Sequence, residues 1–111
     1  MKLSEAIRLG SMMKPQAFRA FYINGGSCAL GAACDAIGIN ALIMSEWPIA
    51  WRTFLDDFRL CPECGHETKP GQLHTISHLN DSHRWTRERI ADYVETVELA
   101  KVMPVETEVL A

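Results

Sequence analysis

The stretch "LCPECGHETKPGQLHTISHLNDSHRW", residues 60–85, carries two of the chain's four cysteines and all four of its histidines. Cys61 and Cys64 stand as C-x2-C within "CPECG", a pattern in which two thiolates converge while Gly65 supplies the open backbone conformation of the turn. His78 follows after thirteen residues and His83 after four more, giving C-x2-C-x13-H-x4-H. Zinc takes such sulfur and imidazole donors as a tetrahedron, commonly from a knuckle and a helix. Two thiolates also cancel the charge of Zn²⁺, which makes partial burial tolerable. The expected ligands are therefore Cys61, Cys64, His78 and His83.

The histidine that completes the set is open. His74 and His78 are four apart and share a helix face, so His74 is the alternative ligand. His78 and His83 lie about 140° apart on an ideal helix and converge only if its last turn distorts. A helix break before Thr86 leaves room for that distortion. His66, next to the knuckle, is expected to face solvent. Asp81, three residues from His78, is the candidate to accept a hydrogen bond from a ligand histidine. A redox C-x2-C would need a βαβ setting, which this chain lacks. Four protein ligands close the metal shell, and neither H-E-x-x-H nor H-x-E ahead of P-C-x-x-C occurs, so the expected role is structural. A metal-dependent nuclease, with His78 as base and Asn80 orienting it, is the enzymatic alternative.

The ligand spacing resembles that of a Cys2His2 zinc finger with its middle loop lengthened by one residue. It departs from that pattern at Glu67 and Thr68, where an aromatic is expected, and in a helix with no basic reading face. The larger frame of "LSEAIRLGSMMKPQAF", "GGSCALGAA", "CPECG" and "HLNDSHRWTRERIADYVE" resembles a family of small uncharacterised bacterial and phage proteins over most of the chain. That resemblance implies a phage- or mobile-element-borne protein of bacterial or infected-cell cytoplasm, and no particular activity.

Outward from this segment, 111 residues make one domain, and 48% hydrophobic with 23% charged residues is a globular composition. No apolar run approaches the ~20 residues that span a bilayer. "MKLSEAIRLG" has no apolar core of a signal peptide, so a cytoplasmic location is expected. Eleven basic residues are scattered among fourteen acids at net charge −3, which disfavours a nucleic-acid partner.

The remaining chain reads as helices. Ser4 is the expected N-cap of a first helix from Glu5 to about Met12, with Met12 and Met13 filling the core at its end. Pro15 opens a second, "PQAFRAFYI", carrying Phe18, Phe21 and Tyr22, and "NGG" at 24–26 breaks it. Ser27 caps a third, "CALGAACDAIG", ended by Gly38. Its small residues Ala29, Gly31, Ala32, Ala33 and Ala36 allow neighbouring backbone to approach closely. Residues 39–46 read as a loop or a short extended piece. "WPIAWRTFLDDF" makes a fourth helix with a stripe of Trp47, Trp51 and Phe54 or Leu55. Thr86 caps the last, "RERIADYVETVELAKV", whose apolar positions are Ile90, Tyr93, Val94, Val97 and Val102 and whose end is Pro104.

Cys28 and Cys34 are about 240° apart on a helix and cannot chelate together, so both read as buried thiols. Arg84, Trp85, Arg87 and Arg89 form a candidate contact for protein or single-stranded nucleic acid. Salt bridges along the helix to Glu88, Asp92, Glu95 and Glu98 compete with that use, and Trp85 reads most simply as the residue pinning the metal module to the rest.

The expected fold is mainly α: a single small helical domain with a structural zinc module, knuckle plus helix, in its C-terminal half. Residues 1–58 form the helical N-terminal part, 59–103 the knuckle and C-terminal helices packed with it, and 104–111 a tail, loose or a short strand. The expected function is that of a zinc-stabilised, non-catalytic interaction or regulatory module with a protein partner and no membrane association. A nucleic-acid-binding accessory role is the alternative, and a homodimer burying the small-residue helix is a further expectation.

Overall fold

The computed structural model describes residues 1–51, 59–65, 67–68 and 74–110, with the side chains at 59, 68, 74 and 101–110 outside that description. In chain order its elements are α1 (Leu3–Ser11), β1 (Tyr22–Ile23), β2 (Gly26–Ser27), α2 (Ala29–Ile37), a 3₁₀ turn (Met44–Glu46), β3 (Arg59–Leu60), β4 (Glu67–Thr68), α3 (His74–Asp81) and α4 (Arg87–Leu110).

Leu3, Ala6, Ile7 and Gly10 recur at three- and four-residue spacing on α1, and all are buried. They meet α2, where Ala29 to Cys34 are buried without interruption. The two backbones nearly touch: a Cβ on Gly10 would sit 1.7 Å from the Ala32 carbonyl oxygen, and one on Gly31 would sit 2.4 Å from that of Phe21. The small-residue helix is thus gripped by its own chain. Its C-terminus closes as a Schellman turn, with Ile39 N–H donating to Cys34 C=O at 3.0 Å beyond left-handed Gly38.

Both helix starts differ from expectation. Lys2, not Ser4, is the N-cap of α1. Ser4 is buried, and its Oγ and N–H donate to the Glu98 carboxylate of α4 at 2.5 and 3.3 Å. An acid from another element thereby takes the capping place at the positive helix end. Cys28, not Ser27, caps α2, its Sγ accepting from Gly31 N–H at 3.4 Å.

The helix expected over "PQAFRAFYI" does not form. Pro15 C=O accepts from Ser27 N–H and Ala17 N–H donates to Ser27 C=O, both at 2.9 Å. Residues 15–17 therefore run beside β2 as extended chain. Arg19 at φ +67° and the β1–β2 hairpin, with Tyr22 opposite Ser27, complete the path. Asn24 (φ +50°) and Gly25 (φ +78°) form the tight turn, which needs two successive left-handed residues. Met12 and Met13, expected in the core, are 77% and 57% exposed, because the chain leaves α1 there toward this extended segment.

Trp47 and Trp51 of the expected fourth helix are buried, and the chain is helical from 49 to 51; Phe54 and Leu55 lie outside the described residues. Thr86 caps α4, its Oγ1 accepting from Arg89 N–H at 3.2 Å. The helix does not stop at Pro104 but continues to Leu110, so residues 104–110 are neither strand nor loose tail. A proline removes one ladder bond at a cost of about 3 kcal/mol, and the helix-forming residues that follow can still hold the helix. Among the described residues no helix is long and apolar enough to cross a membrane.

Cys61, Ile76, Leu79 and Trp85 belong to the same buried cluster as Leu3, Ile7, Leu30, Trp51 and Val94. The segment that carries the candidate ligands is therefore anchored in the core. The acids of α4 tie that helix to α1: Arg8 reaches Asp92 at 2.9 Å and Glu95 at 3.2 Å, and Ser11 Oγ reaches Glu88 at 3.1 Å. The expected pairing along the helix with Arg84, Arg87 and Arg89 is not among the ion pairs of the described residues.

Candidate metal centre

The strands β3 and β4 pair antiparallel, Leu60 opposite Glu67, and so close the chain around the Cys61–Cys64 knuckle. Gly65 N–H donates to Cys61 C=O at 2.9 Å, and Gly65 sits at φ +75°, which an L side chain would strain. Cys61 is buried at the core edge while Cys64 is exposed. On α3, Ile76 and Leu79 point into the core, which leaves His78 between them facing the knuckle.

His83 lies beyond the end of α3, and the expected distortion brings it back. Ser82 N–H donates to His78 C=O at 2.9 Å, and His83 N–H donates to the same oxygen at 3.3 Å, a bond one residue wider than the α-helical ladder. Arg84 then takes φ +53°, and Trp85 N–H donates to Leu79 C=O at 3.0 Å. The chain therefore folds back over the helix end and carries the His83 ring toward His78.

The four side chains converge. One ligand atom from each of Cys61, Cys64, His78 and His83 lies within 4.8 Å of every other. Cys64 Sγ is 3.3 Å from His78 Nε2, which is 3.0 Å from His83 Nε2, and the two rings meet edge to face. A tetrahedral ion with ligand distances of about 2.0–2.3 Å has edges of roughly 3.3–3.8 Å, so the set is close to what one ion requires. These residues lie close enough to hold a metal ion. His74 opens α3, but its side chain, like all of His66, lies outside the described residues.

The carboxylate on a ligand ring is not the one expected. Glu63, inside the knuckle, places Oε2 at 3.0 Å from His83 Nδ1 and accepts a hydrogen bond from Trp85 Nε1 at 2.8 Å. Asp81 instead accepts at Oδ1 from Arg19 N–H at 2.8 Å and from Asn80 Nδ2 at 2.7 Å, binding the 15–19 segment to α3. The reason is directional: Asp81 ends α3 on the side facing that segment, whereas Glu63 is held beside the ligands by the C-x2-C turn itself.

Asn80, fully buried, has no capacity left to orient a catalytic histidine. Its Oδ1 accepts from Gln16 Nε2 at 2.9 Å and Ala29 N–H at 3.2 Å, and its Nδ2 donates to Ala17 C=O at 2.9 Å as well as to Asp81. Two acceptors and two donors exhaust the amide.

The candidate contact cluster divides. Arg87 is 6% exposed and its guanidinium donates to Ser11 C=O at 3.0 Å, Lys14 C=O at 2.6 Å, Ser27 C=O at 3.2 Å and Ser27 Oγ at 3.0 Å. It is an internal strut, unavailable to a partner, and burial lowers its pKa. Arg84 and Arg89 are exposed and stack over Phe18 at 4.5 Å and Trp85 at 3.7 Å. Trp85 itself is buried, bonded to the knuckle through Glu63 and packed edge-on against Tyr93 of α4. Cys28 and Cys34 are both buried away from the ligand group, and burial pushes the Cys34 thiol up to about 12.

Glu63, Asn80, Asp81 and Arg87 are the residues that sequence reasoning missed or misassigned in this region. For Glu63 a signal existed, since a carboxylate between two knuckle cysteines cannot be far from the ligands. Compared with family models, curated proteins and solved structures, the chain matches none.

Proposed function

We propose that Cys61, Cys64, His78 and His83 bind one Zn²⁺ as a closed structural site, and that the protein is a non-catalytic interaction or regulatory module whose surface that site maintains. The convergence of all four ligand atoms within 4.8 Å carries the reading. Two thiolates and two imidazoles favour zinc among the divalent ions, and four protein ligands leave no position for a substrate or an attacking water. Metal binding would add folding free energy to a core of modest size.

A protein partner is favoured by the loop after α2. Leu42, Ile43, Met44 and Ile49 are 71%, 44%, 43% and 82% exposed, with no lysine or arginine among residues 42–50. Exposed apolar surface of this kind suits protein contact. The alternative partner, nucleic acid, keeps only Arg84 and Arg89 of the original arginine cluster once Arg87 is buried. Purified protein should contain one zinc per chain and bind no single-stranded oligonucleotide at low salt. Salt-sensitive oligonucleotide binding lost in an Arg84→Ala, Arg89→Ala variant would favour the nucleic-acid reading instead.

A further inference from the structure

Glu63 stands in a position that neither the ligand spacing nor the expected chemistry of a four-ligand site calls for. Its Oε2 lies 3.0 Å from His83 Nδ1 and accepts a hydrogen bond from Trp85 Nε1 at 2.8 Å. The first contact selects a tautomer. With its proton at Nδ1, beside the carboxylate, His83 presents the Nε2 lone pair to the cluster, where Nε2 lies 3.0 Å from His78 Nε2. The second bond decides an orientation. An indole N–H is only a donor, and Trp85 is 8% exposed in the core cluster, so it holds Oε2 at a fixed point between itself and the imidazole. Arg89 stacks on the outer face of the same indole at 3.7 Å, and Tyr93 meets its edge. His83 lies outside regular helix, where nothing in the local backbone would otherwise fix its ring.

We infer that Glu63 is a positioning residue for the metal centre: it sets the tautomer and ring orientation of His83, and through Trp85 it ties metal occupancy to the packing of α4. The inference rests on the zinc reading above and adds a determinant of affinity that is not itself a ligand. Carboxylates bonded to a ligand imidazole raise its basicity and hold its plane, and removing them typically costs 10- to 100-fold in metal affinity. Trp85 then responds to the metal, because the acceptor of its N–H and the ring beside it are ordered together.

The test uses the full-length chain and Zn²⁺ in competition with a chromophoric chelator. Glu63→Ala is expected to weaken zinc binding about 10- to 100-fold. Glu63→Gln, which keeps an acceptor but loses the charge, should fall between it and the wild-type chain. Trp85→Phe removes the indole bond while leaving the carboxylate on His83, and should cost less than Glu63→Ala. In the zinc-loaded wild-type chain, long-range ¹H–¹⁵N spectra should show His83 protonated at Nδ1, and that signal should broaden or vanish in Glu63→Ala. Equal zinc affinity in wild type, Glu63→Gln and Glu63→Ala overturns the assignment while leaving the zinc site standing. Trp85→Phe matching Glu63→Ala in affinity loss, with the His83 signal intact in both, also overturns it and makes the effect one of packing. A wild-type chain that takes up no zinc overturns the site and this inference together.

Discussion

A buried arginine is costly unless its donors find acceptors, and Arg87 uses both terminal nitrogens to hold the carbonyls of Ser11, Lys14 and Ser27. Ser11 ends α1, Lys14 follows it and Ser27 lies in β2, so one side chain from α4 ties three separate places in the chain together. Asn80 does the same from α3 for Ala17 and Ala29. Cys34 is the opposite case, a buried group that is stable because it stays uncharged. Its folded pKa, pushed up to about 12 by burial, lies above the ordinary thiol value of 9.0. The unfolded chain therefore loses this proton first as pH rises. The Cys34 contribution is complete below pH 9 and is lost between 9 and about 12, at most about 1.4 kcal/mol per pH unit. Cys28 and Tyr22, also raised by burial, act in the same direction. Urea unfolding at pH 8 and pH 10 should show lower stability at pH 10, and Cys34→Ala should flatten the dependence. A pH profile unchanged by that substitution would count against the assignment to Cys34.

Between elements, the α1–α2 contact depends on the absence of a side chain. Gly10→Ala would gain about 1 kcal/mol in helix propensity but would place Cβ 1.7 Å from the Ala32 carbonyl, where only backbone can give way. Overpacking against backbone costs about 3 kcal/mol or more, so the net expectation is a loss of about 2 kcal/mol or more, read as a lower urea midpoint at constant m-value. Stability equal to wild type would mean the helices can separate freely. The small-residue run of α2 was readable in the sequence because close approach and small size are one constraint, and Gly38 and Thr86 were readable because end signals are local. The spacing pointed to Cys61, Cys64 and His78 but left His74 open beside His83, and it is the fold-back after α3 that brings His83 to the cluster. The hairpin at 22–27 was hidden behind a helix-like row of Phe18, Phe21 and Tyr22: the pairing of residues 15–17 with Ser27 is non-local, and it outweighed local periodicity. Asn24-Gly25 was the one local sign of it. The capping of Ser4 by Glu98 and the carbonyl and hydroxyl contacts of Arg87 also depend on partners distant in sequence, so no local reading shows them.

For the whole molecule, the decisive fact is that the candidate metal site is anchored in the core through Cys61, with His78 and His83 half-buried at its edge and Cys64 exposed. Cys61 is 3% exposed and packs in the cluster that contains Leu3, Leu30 and Val94, while Trp85 joins that cluster to the knuckle through Glu63. On the zinc reading proposed above, losing the metal would leave two thiols and two imidazoles facing one another at the core edge, and the loss would spread to α1, α2 and α4. A small domain with its core arranged in this way should unfold as one unit with its metal. Each kcal/mol lost corresponds to roughly 4–8 °C in a chain of this size, so removing a structural ion should lower the midpoint by about 15 °C or more. The most direct measurement is thermal unfolding of the purified chain followed by circular dichroism, with and without a strong chelator, beside Cys61→Ser and a metal analysis of the same samples. One zinc per wild-type chain, a single transition lowered by at least about 15 °C on chelation, and a metal-free Cys61→Ser variant that already melts at the lower temperature is the predicted result. Wild-type protein that carries no metal and melts at the same temperature with and without chelator would contradict it.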